Sequence, residues 1–583
     1  MVLNIDLAAY LFRRLYEAGA RAVHGVPGDY NLTALDYLEP AGLAWIGNCN
    51  ELNAGYAADG YGRIKGIGAL ITTFGVGELS AINAIAGAYA ERSPLVHIVG
   101  TPARGLQQQG ARLHHSLCNG SPDDYSIFAD MCSKITQVQE NLLDVSTAPA
   151  QIDRAIIACV RHKRPVYIQL PADMVDAKVP SAPLSTALDF TLEHNDDQVE
   201  RAAANAIVEK IHQSKQPFIL VDAGASRYSI ATQVNDLVKA TGFPTATTPF
   251  GKGAVDETLR NFHGVYGTVG DHVFVDWVKN CDLVLYIGPF ENNVNTYYFK
   301  TIPEASKTIR FEEDSVQIGC ANGEHSRWAL HPGGLLRRVL TQLDSGALRQ
   351  YVEYPKQLPN PPALLASLPR VQKTDLLLQD TFWKRISEFF EPGDIIMTET
   401  GTPSTGGRDF VLPRQTTLIN SGVWLSIGYM LGSSQGVALA QRDLVAEDSS
   451  RRGRTILFEG DGSFQMTAQE LSTIIHKRLD MIIFLINNDG YTIERLVHGK
   501  DAIYNDIAPW RYLEAPSCFG APNDGSYVTM TARASTWGEL MEIISKDDFK
   551  YGSGLRMVEI MMERMDAPVI LKCLLENYSA SAS

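Results

Sequence analysis

Between residues 68 and 171 three apolar runs of strand length, "GALITTFG", "PLVHIVG" and "RPVYIQLP", stand apart, and "ELSAINAIAGAYAER" after the first has helical spacing. The pattern returns as "QPFILVDAG", "CDLVLYIG" and "SKTIRFEED", and again as "GDIIMTETG", "RTILFEGDG", "DMIIFLINN" and "PVILKCLL". Runs that are apolar throughout, with helices between them, predict strands covered on both faces and paired in parallel. The expected fold is α/β, with three open parallel-sheet domains. Periodicity stops and proline or small residues gather at "VPSAPLSTALDF" (179–190) and "YPKQLPNPPALLASLP" (354–369), which read as linkers. Domains are therefore expected at 1–180, 195–353 and 370–583. "MVLNIDLAAYLFRRLYEAG" reads as an amphipathic helix, and the charged "QRDLVAEDSSRRGR" (441–454) as a surface loop before a strand.

Composition narrows the function. The 583 residues far exceed the roughly 150 of one domain. With 51 basic against 66 acidic residues the net charge is −15, which argues against nucleic acid or an anionic membrane as partner. No apolar run reaches the ~18 residues of a membrane span. The eight cysteines are dispersed, without a C-x-x-C pair or zinc-like spacing, as expected of reduced thiols in a cytoplasmic protein. The Asn-x-Thr at Asn31 then carries no meaning as a glycosylation site.

The candidate chemistry lies in the third block. Gly460-Asp461-Gly462 follows the run "RTILFE", and helical spacing begins at Ser463. Such a strand-to-helix turn offers backbone N–H groups to an anion. A carboxylate beside a phosphate makes sense with a divalent cation between them, and Mg²⁺ takes carboxylate, carbonyl and amide oxygens. Twenty-four residues separate Gly462 from "NNDG", enough for one helix and one neighbouring strand, so Asn488 and the Gly490 carbonyl could serve the same ion. Read singly, Asp461 caps a helix and "NNDG" is a turn. The pair at this spacing favours a metal–diphosphate site.

Gly-Asp-Gly followed at this distance by Asn-Asn resembles the fingerprint of thiamine diphosphate enzymes, and "NNDGYTIERLVHG" is similar to that of pyruvate decarboxylases, the fungal ones included. The resemblance runs over nearly the whole chain. It implies a thiamine diphosphate-binding fold in the first and third domains, with Gly460, Asp461, Gly462, Ser463 and Asn488 at the cofactor and Asp461, Asn488 and Gly490 at Mg²⁺. In "GNCNELNAGYAADGYGR" it makes Glu51 the acid that hydrogen-bonds the aminopyrimidine ring, where an apolar setting would raise its pKa. In "VPGDYN", "LHHSLCNG" and "TIE" it makes Asp29, His114, His115 and Glu494 the groups that handle substrate carboxylate and protons. "FGVGEL" (74–79) matches loops near the cofactor. Thr402 in "TETGTPSTGG" would lie near the diphosphate. In "GVWLSIGYMLG" the Leu425 carbonyl would take the cofactor amine and Ile427 would wedge the cofactor into its bent form, while Ile493 and Val497 would form pocket wall.

The implied activity is non-oxidative decarboxylation of a 2-oxo acid to an aldehyde, with pyruvate first and aromatic or branched 2-oxo acids next. The cofactor would sit between two subunits, so a homodimer or homotetramer is expected. A carboligase of the acetolactate synthase kind and a non-catalytic paralogue stay open. Leu425 stands where decarboxylases commonly have glycine, Cys118 replaces a glycine after His-His-x-Leu, and "PSTGG" departs from the usual loop. Gly224 and Ala225 occupy the place where substrate-activated fungal members carry a cysteine, so thiol-mediated activation is not expected.

Overall fold

A computed structural model describes residues 4–192, 194–267, 272–319, 325–348 and 360–582. After β1 (Asn4–Asp6) come β2 (Ala22–Gly25), β3 (Ala44–Gly47), β4 (Gly68–Thr73), β5 (Leu95–Thr101), β6 (Gln139–Asn141), β7 (Val166–Pro171) and β8 (Lys178–Pro180). β2 to β7 form one parallel sheet in the order β3-β2-β4-β5-β7-β6, and β1 pairs antiparallel with β8.

The second sheet holds β9 (Pro217–Val221), β10 (Thr245–Thr247), β11 (Phe262–Val265), β12 (Leu283–Ile287), β13 (Thr308–Phe311), β14 (Val316–Gly319) and β15 (His325–Trp328). Its order is β11-β10-β9-β12-β13-β14-β15, parallel as far as β13 and closed by the antiparallel β14 and β15. The third comprises β16 (Ile395–Thr398), β17 (Thr417–Asn420), β18 (Thr455–Gly460), β19 (Met481–Asn487), β20 (Thr529–Ala534) and β21 (Leu555–Met561), all parallel, in the order β17-β16-β18-β19-β21-β20. The central strands β4, β5, β7 and β9 are buried at every residue, as unbroken apolar runs require.

Three local expectations are corrected. "PVILKCLL" belongs to a helix, Val569–Ala582, and the strand beside β19 is "LRMVEIM" (β21). Arg556 and Glu559 interrupt that run in sequence, yet both are buried. Arg556 Nη1 donates to the Phe549 carbonyl and Glu559 accepts from Asn487 Nδ2, which makes their burial tolerable. The helix Tyr429–Glu447 runs through the first half of the expected 441–454 loop, held by the buried Leu444. Of the expected linker at 354–369, residues 354–359 lie outside the described residues, and Pro361–Ala366 is a helical turn and a half.

The first and third sheets meet through two helices, Glu51–Lys65 and Tyr429–Glu447. They pack backbone to backbone: a Cβ at Gly436 would lie 1.8 Å from the Ala57 carbonyl oxygen, and one at Gly60 2.2 Å from that of Ser433. Small residues in "NAGYAADGYG" and "GSSQG" are what permit this approach. Among the described residues no helix is long and apolar enough to cross a membrane.

Candidate active site

β18 ends at Gly460 and a helix, Asp461–Thr467, starts at once; β19 ends at Asn487 and a turn leads to the helix Thr492–Val497. Parallel pairing sets Gly460 opposite Ile486, which brings the two exits side by side. The buried Asp461 joins them, its Oδ1 accepting from the Gly462 N–H at 2.8 Å and its Oδ2 from the Gly490 N–H at 3.0 Å. Burial pushes this carboxyl up to about 6, against the pull of those backbone donors. One terminal atom of the Asn488 amide lies 3.3 Å from Asp461 Oδ1 and 3.1 Å from the Gly490 carbonyl, and the other 2.7 Å from Thr492 Oγ1. With nitrogen inward the amide bridges the two oxygens. With oxygen inward three acceptors face one another, an arrangement that a cation satisfies. No group of three His, Cys, Asp or Glu side chains gathers among the described residues. The triad has one carboxylate, one amide and one carbonyl, a hard-oxygen set suited to Mg²⁺ rather than Zn²⁺.

A cavity of about 370 Å³ opens at this point. Thr402, Leu425, Ile427, Gly460, Asp461, Gly462, Ser463, Asn488, Gly490, Ile493 and Glu494 all line it, so the third-block residues expected from the sequence come together. Val497 does not line it; one turn beyond Ile493 it stays 44% exposed. The far walls come from Asn293, Val294 and Tyr298 and from Leu571, Leu574 and Leu575, which carry no sequence motif.

Leu425 has φ 55°, in the left-handed region. A leucine there costs roughly 1–2 kcal/mol, which accounts for glycine being usual at this place. Its N–H donates to Ser421 Oγ at 2.9 Å, and Ser421 Oγ with the N–H groups of Gly422, Val423 and Trp424 donates to a single oxygen of the buried Glu91, at 2.9 to 3.1 Å. Glu91, at the end of the helix Val76–Ala90, escaped sequence reading because a lone acid in "AERSP" has no spacing to mark it. The same holds for Glu399, which accepts from the Met430 N–H at 2.8 Å beneath the cavity. Burial pushes Glu399 up to about 7, and burial together with the neighbouring Glu399 charge pushes Glu459 well above its ordinary range.

The first-block residues form a separate group at the carboxyl ends of β2 to β5. Glu51 opens the helix Glu51–Lys65, whose cap is Asn50, accepting from the Asn53 N–H at 2.8 Å. Partial burial holds its carboxyl above the ordinary range. Asp29 Oδ2 pairs with His114 Nε2 at 2.9 Å, the His114 ring stacks on Tyr30 at 5.2 Å, and His115 meets His114 edge-on at 4.6 Å. His115 and Cys118 both have positive φ, 70° and 57°. Asp29 and His114 are 66% and 54% exposed, and none of Glu51, Asp29, His114 and His115 lines the cavity. The candidate residues of one chain thus fall into two separate groups, only one of which lines the cavity.

Residues 5–121, 204–327 and 400–519 match in turn the N-terminal TPP-binding, central and C-terminal TPP-binding domains of thiamine pyrophosphate enzymes. The pyruvate decarboxylase of Aspergillus parasiticus is 50% identical over 98% of this chain and 97% of its own length. The chain belongs to the pyruvate decarboxylase family of thiamine pyrophosphate enzymes. The pyruvate decarboxylase of Aspergillus fumigatus is 44% identical over 98% of the chain and 96% of its own, and isozyme 1 of Saccharomyces cerevisiae 39% over 97% of each. The two cofactor-binding domains of this decarboxylase family fall on the two sheets whose carboxyl ends carry Glu51 and Asp461. At Gly224 a Cβ would lie 2.4 Å from Gly288 Cα, so the fold leaves no room there for a cysteine.

Proposed function

We propose that this chain uses thiamine diphosphate and Mg²⁺ to decarboxylate pyruvate without oxidation, giving acetaldehyde and CO₂. The observation that carries the reading is the convergence of Asp461, Asn488 and the Gly490 carbonyl at the head of a cavity that also bears Ile427 and Glu494. Thiamine diphosphate, when bound, supplies the carbon nucleophile and the electron sink for loss of CO₂. Asp461, Asn488 and Gly490 hold Mg²⁺ against the diphosphate, and Gly460, Gly462, Ser463 and Thr402 surround it. Leu425 offers its carbonyl to the aminopyrimidine, while Ile427 and Ile493 give the apolar wall. Glu51, with its raised pKa, keeps a proton available to the aminopyrimidine nitrogen. Asp29, His114, His115 and Glu494 hold the substrate carboxylate and deliver the proton that completes the aldehyde.

The domains are assigned as 1–180 for the pyrimidine, 195–353 as a structural or regulatory unit and 370–583 for diphosphate and Mg²⁺, one large sheet to each. Because Asp29 and His114 stand exposed and the first-block group lies off the cavity, a second copy completes each site, and the active unit is a homodimer or homotetramer. Exposed apolar side chains beside both half-sites, among them Val76 at 52%, Trp424 at 43% and Ile503 at 85%, support such an interface. The acidic, reduced-thiol composition supports a cytoplasmic protein without nucleic acid or membrane partners.

The test is CO₂ release by the purified protein with thiamine diphosphate and Mg²⁺ across pyruvate, phenylpyruvate, indolepyruvate and branched-chain 2-oxo acids. Pyruvate is expected to turn over best. A higher kcat/KM on an aromatic or branched acid would reassign the substrate, and silence on all would favour a regulatory paralogue.

A further inference from the structure

The motif "FGVGEL" forms the turn from β4 into the helix Val76–Ala90. Its Gly75 has φ 69° and ψ −93°, a conformation open to glycine. A Cβ at Gly75 would lie 2.3 Å from the His115 carbonyl oxygen, and a Cβ at Gly77 would lie 3.1 Å from Glu51 Oε1. The turn is therefore wedged between the backbone of His115 and the carboxylate of Glu51. Any shift of it moves one or both.

Glu78 fixes the turn. It is 1% exposed; its Oε1 accepts from the Gly75 N–H at 2.8 Å and its Oε2 from the Tyr167 hydroxyl at 2.6 Å. Tyr167, on β7, also receives Gln169 Nε2 at 3.4 Å, which in turn reaches the Tyr125 carbonyl at 3.4 Å. The Tyr125 hydroxyl donates to the Ala111 carbonyl at 2.5 Å, three residues ahead of His114. A second route runs through rings: Phe74 stacks on Tyr125 at 5.5 Å and meets Tyr30 edge-on at 6.4 Å, and Tyr30 stacks on His114. Both ends of the histidine loop are thus tied to the turn. Burying a carboxyl costs several kcal/mol unless its lone pairs are used. Here both oxygens accept, and of the side chains of this shape only a carboxylate offers two acceptors and no donor.

We propose that Glu78 is the positioning residue of the first half-site: its carboxylate, by holding Gly75 and Tyr167, sets where His115 and Glu51 stand. This rests on the proposed catalytic use of His115 and Glu51.

The test compares Glu78→Gln, Glu78→Ala, Tyr167→Phe, His115→Gln and the double variant Glu78→Gln/His115→Gln, all as full-length protein with thiamine diphosphate, Mg²⁺ and pyruvate. Glu78→Ala is expected to lose roughly 100-fold in kcat, the scale of an ångström's misplacement, with KM for pyruvate unchanged. Glu78→Gln keeps an acceptor for the Gly75 N–H, so it should recover part of that loss, and Tyr167→Phe should fall between the two. The double variant should be slower than His115→Gln by less than the factor that Glu78→Gln costs in the parent, because only the part of the effect that runs through Glu51 remains. Should Glu78→Ala fail to fold, the Gln and Phe variants and the double variant decide. Glu78→Gln and Tyr167→Phe at parental kcat would overturn the proposal, as would losses that multiply in the double variant. His115→Gln at full activity would instead overturn the reading beneath it.

Discussion

Leu425 combines a left-handed backbone with a place on the cavity wall. Its positive φ and its place on the cavity wall are separable in experiment. Replacing it with glycine relieves the left-handed strain but loosens the unfolded chain, so the net gain in stability should be modest, about 0.5–1 kcal/mol. The same change removes a side chain from the wall. Leu425→Gly should raise the ratio of phenylpyruvate to pyruvate turnover, measured as CO₂ release; a ratio that stays put would mean the leucine does not shape the substrate pocket. At this scale the sequence was legible where chemistry depends on spacing, as for Asp461 and Asn488. Glu78, Glu91 and Glu399 were not, because a buried lone acid is defined by what folds over it and carries no period of its own.

At the scale of elements, the joint between the first and third sheets combines bare backbone contact with buried acids, Glu470 among them. Glu470, fully buried in the helix Glu470–His476, accepts from Asn48 Nδ2 at 2.6 Å across that joint. Burial is the main cause that pushes its carboxyl from 4.5 up to about 7. A pKa raised on folding means that the native state holds the proton more tightly than the unfolded chain. The associated stability is fully present below about pH 4.5 and is lost as pH rises through about 7. Glu470→Gln keeps the acceptor for Asn48 and removes the titration. Chemical denaturation should show the parent losing on the order of 3 kcal/mol between pH 4.5 and 7.5 that the variant does not lose. Parallel pH profiles for the two would refute the assignment. Nine of the twenty-one strands among the described residues could be read from the sequence because an apolar run of that length has few other uses. β21 could not, since Arg556 and Glu559 break its run, and "PVILKCLL" misled because seven apolar residues in eight fit a buried helix as well as a strand.

For the whole molecule, the proposed site draws on two groups of residues that one chain holds apart. Glu51 sits on one and Glu494 on the other, and only the second lines the cavity. Variants Glu51→Gln and Glu494→Gln should each be nearly inactive alone. Unfolded together and reassembled, they should regain about a quarter of parental activity, because half of the dimers formed at random are mixed and each of those has one intact site. No recovery on mixing would place both residues in one chain's site.

The most direct measurement is the product made from pyruvate alone. Purified protein given thiamine diphosphate and Mg²⁺ should release acetaldehyde and CO₂ in equal amounts, should stop when a chelator removes the metal, and should restart when Mg²⁺ is returned. Acetolactate as the main product, or acetaldehyde formation that persists without metal and cofactor, would contradict the reaction assigned to Asp461, Asn488 and Glu51.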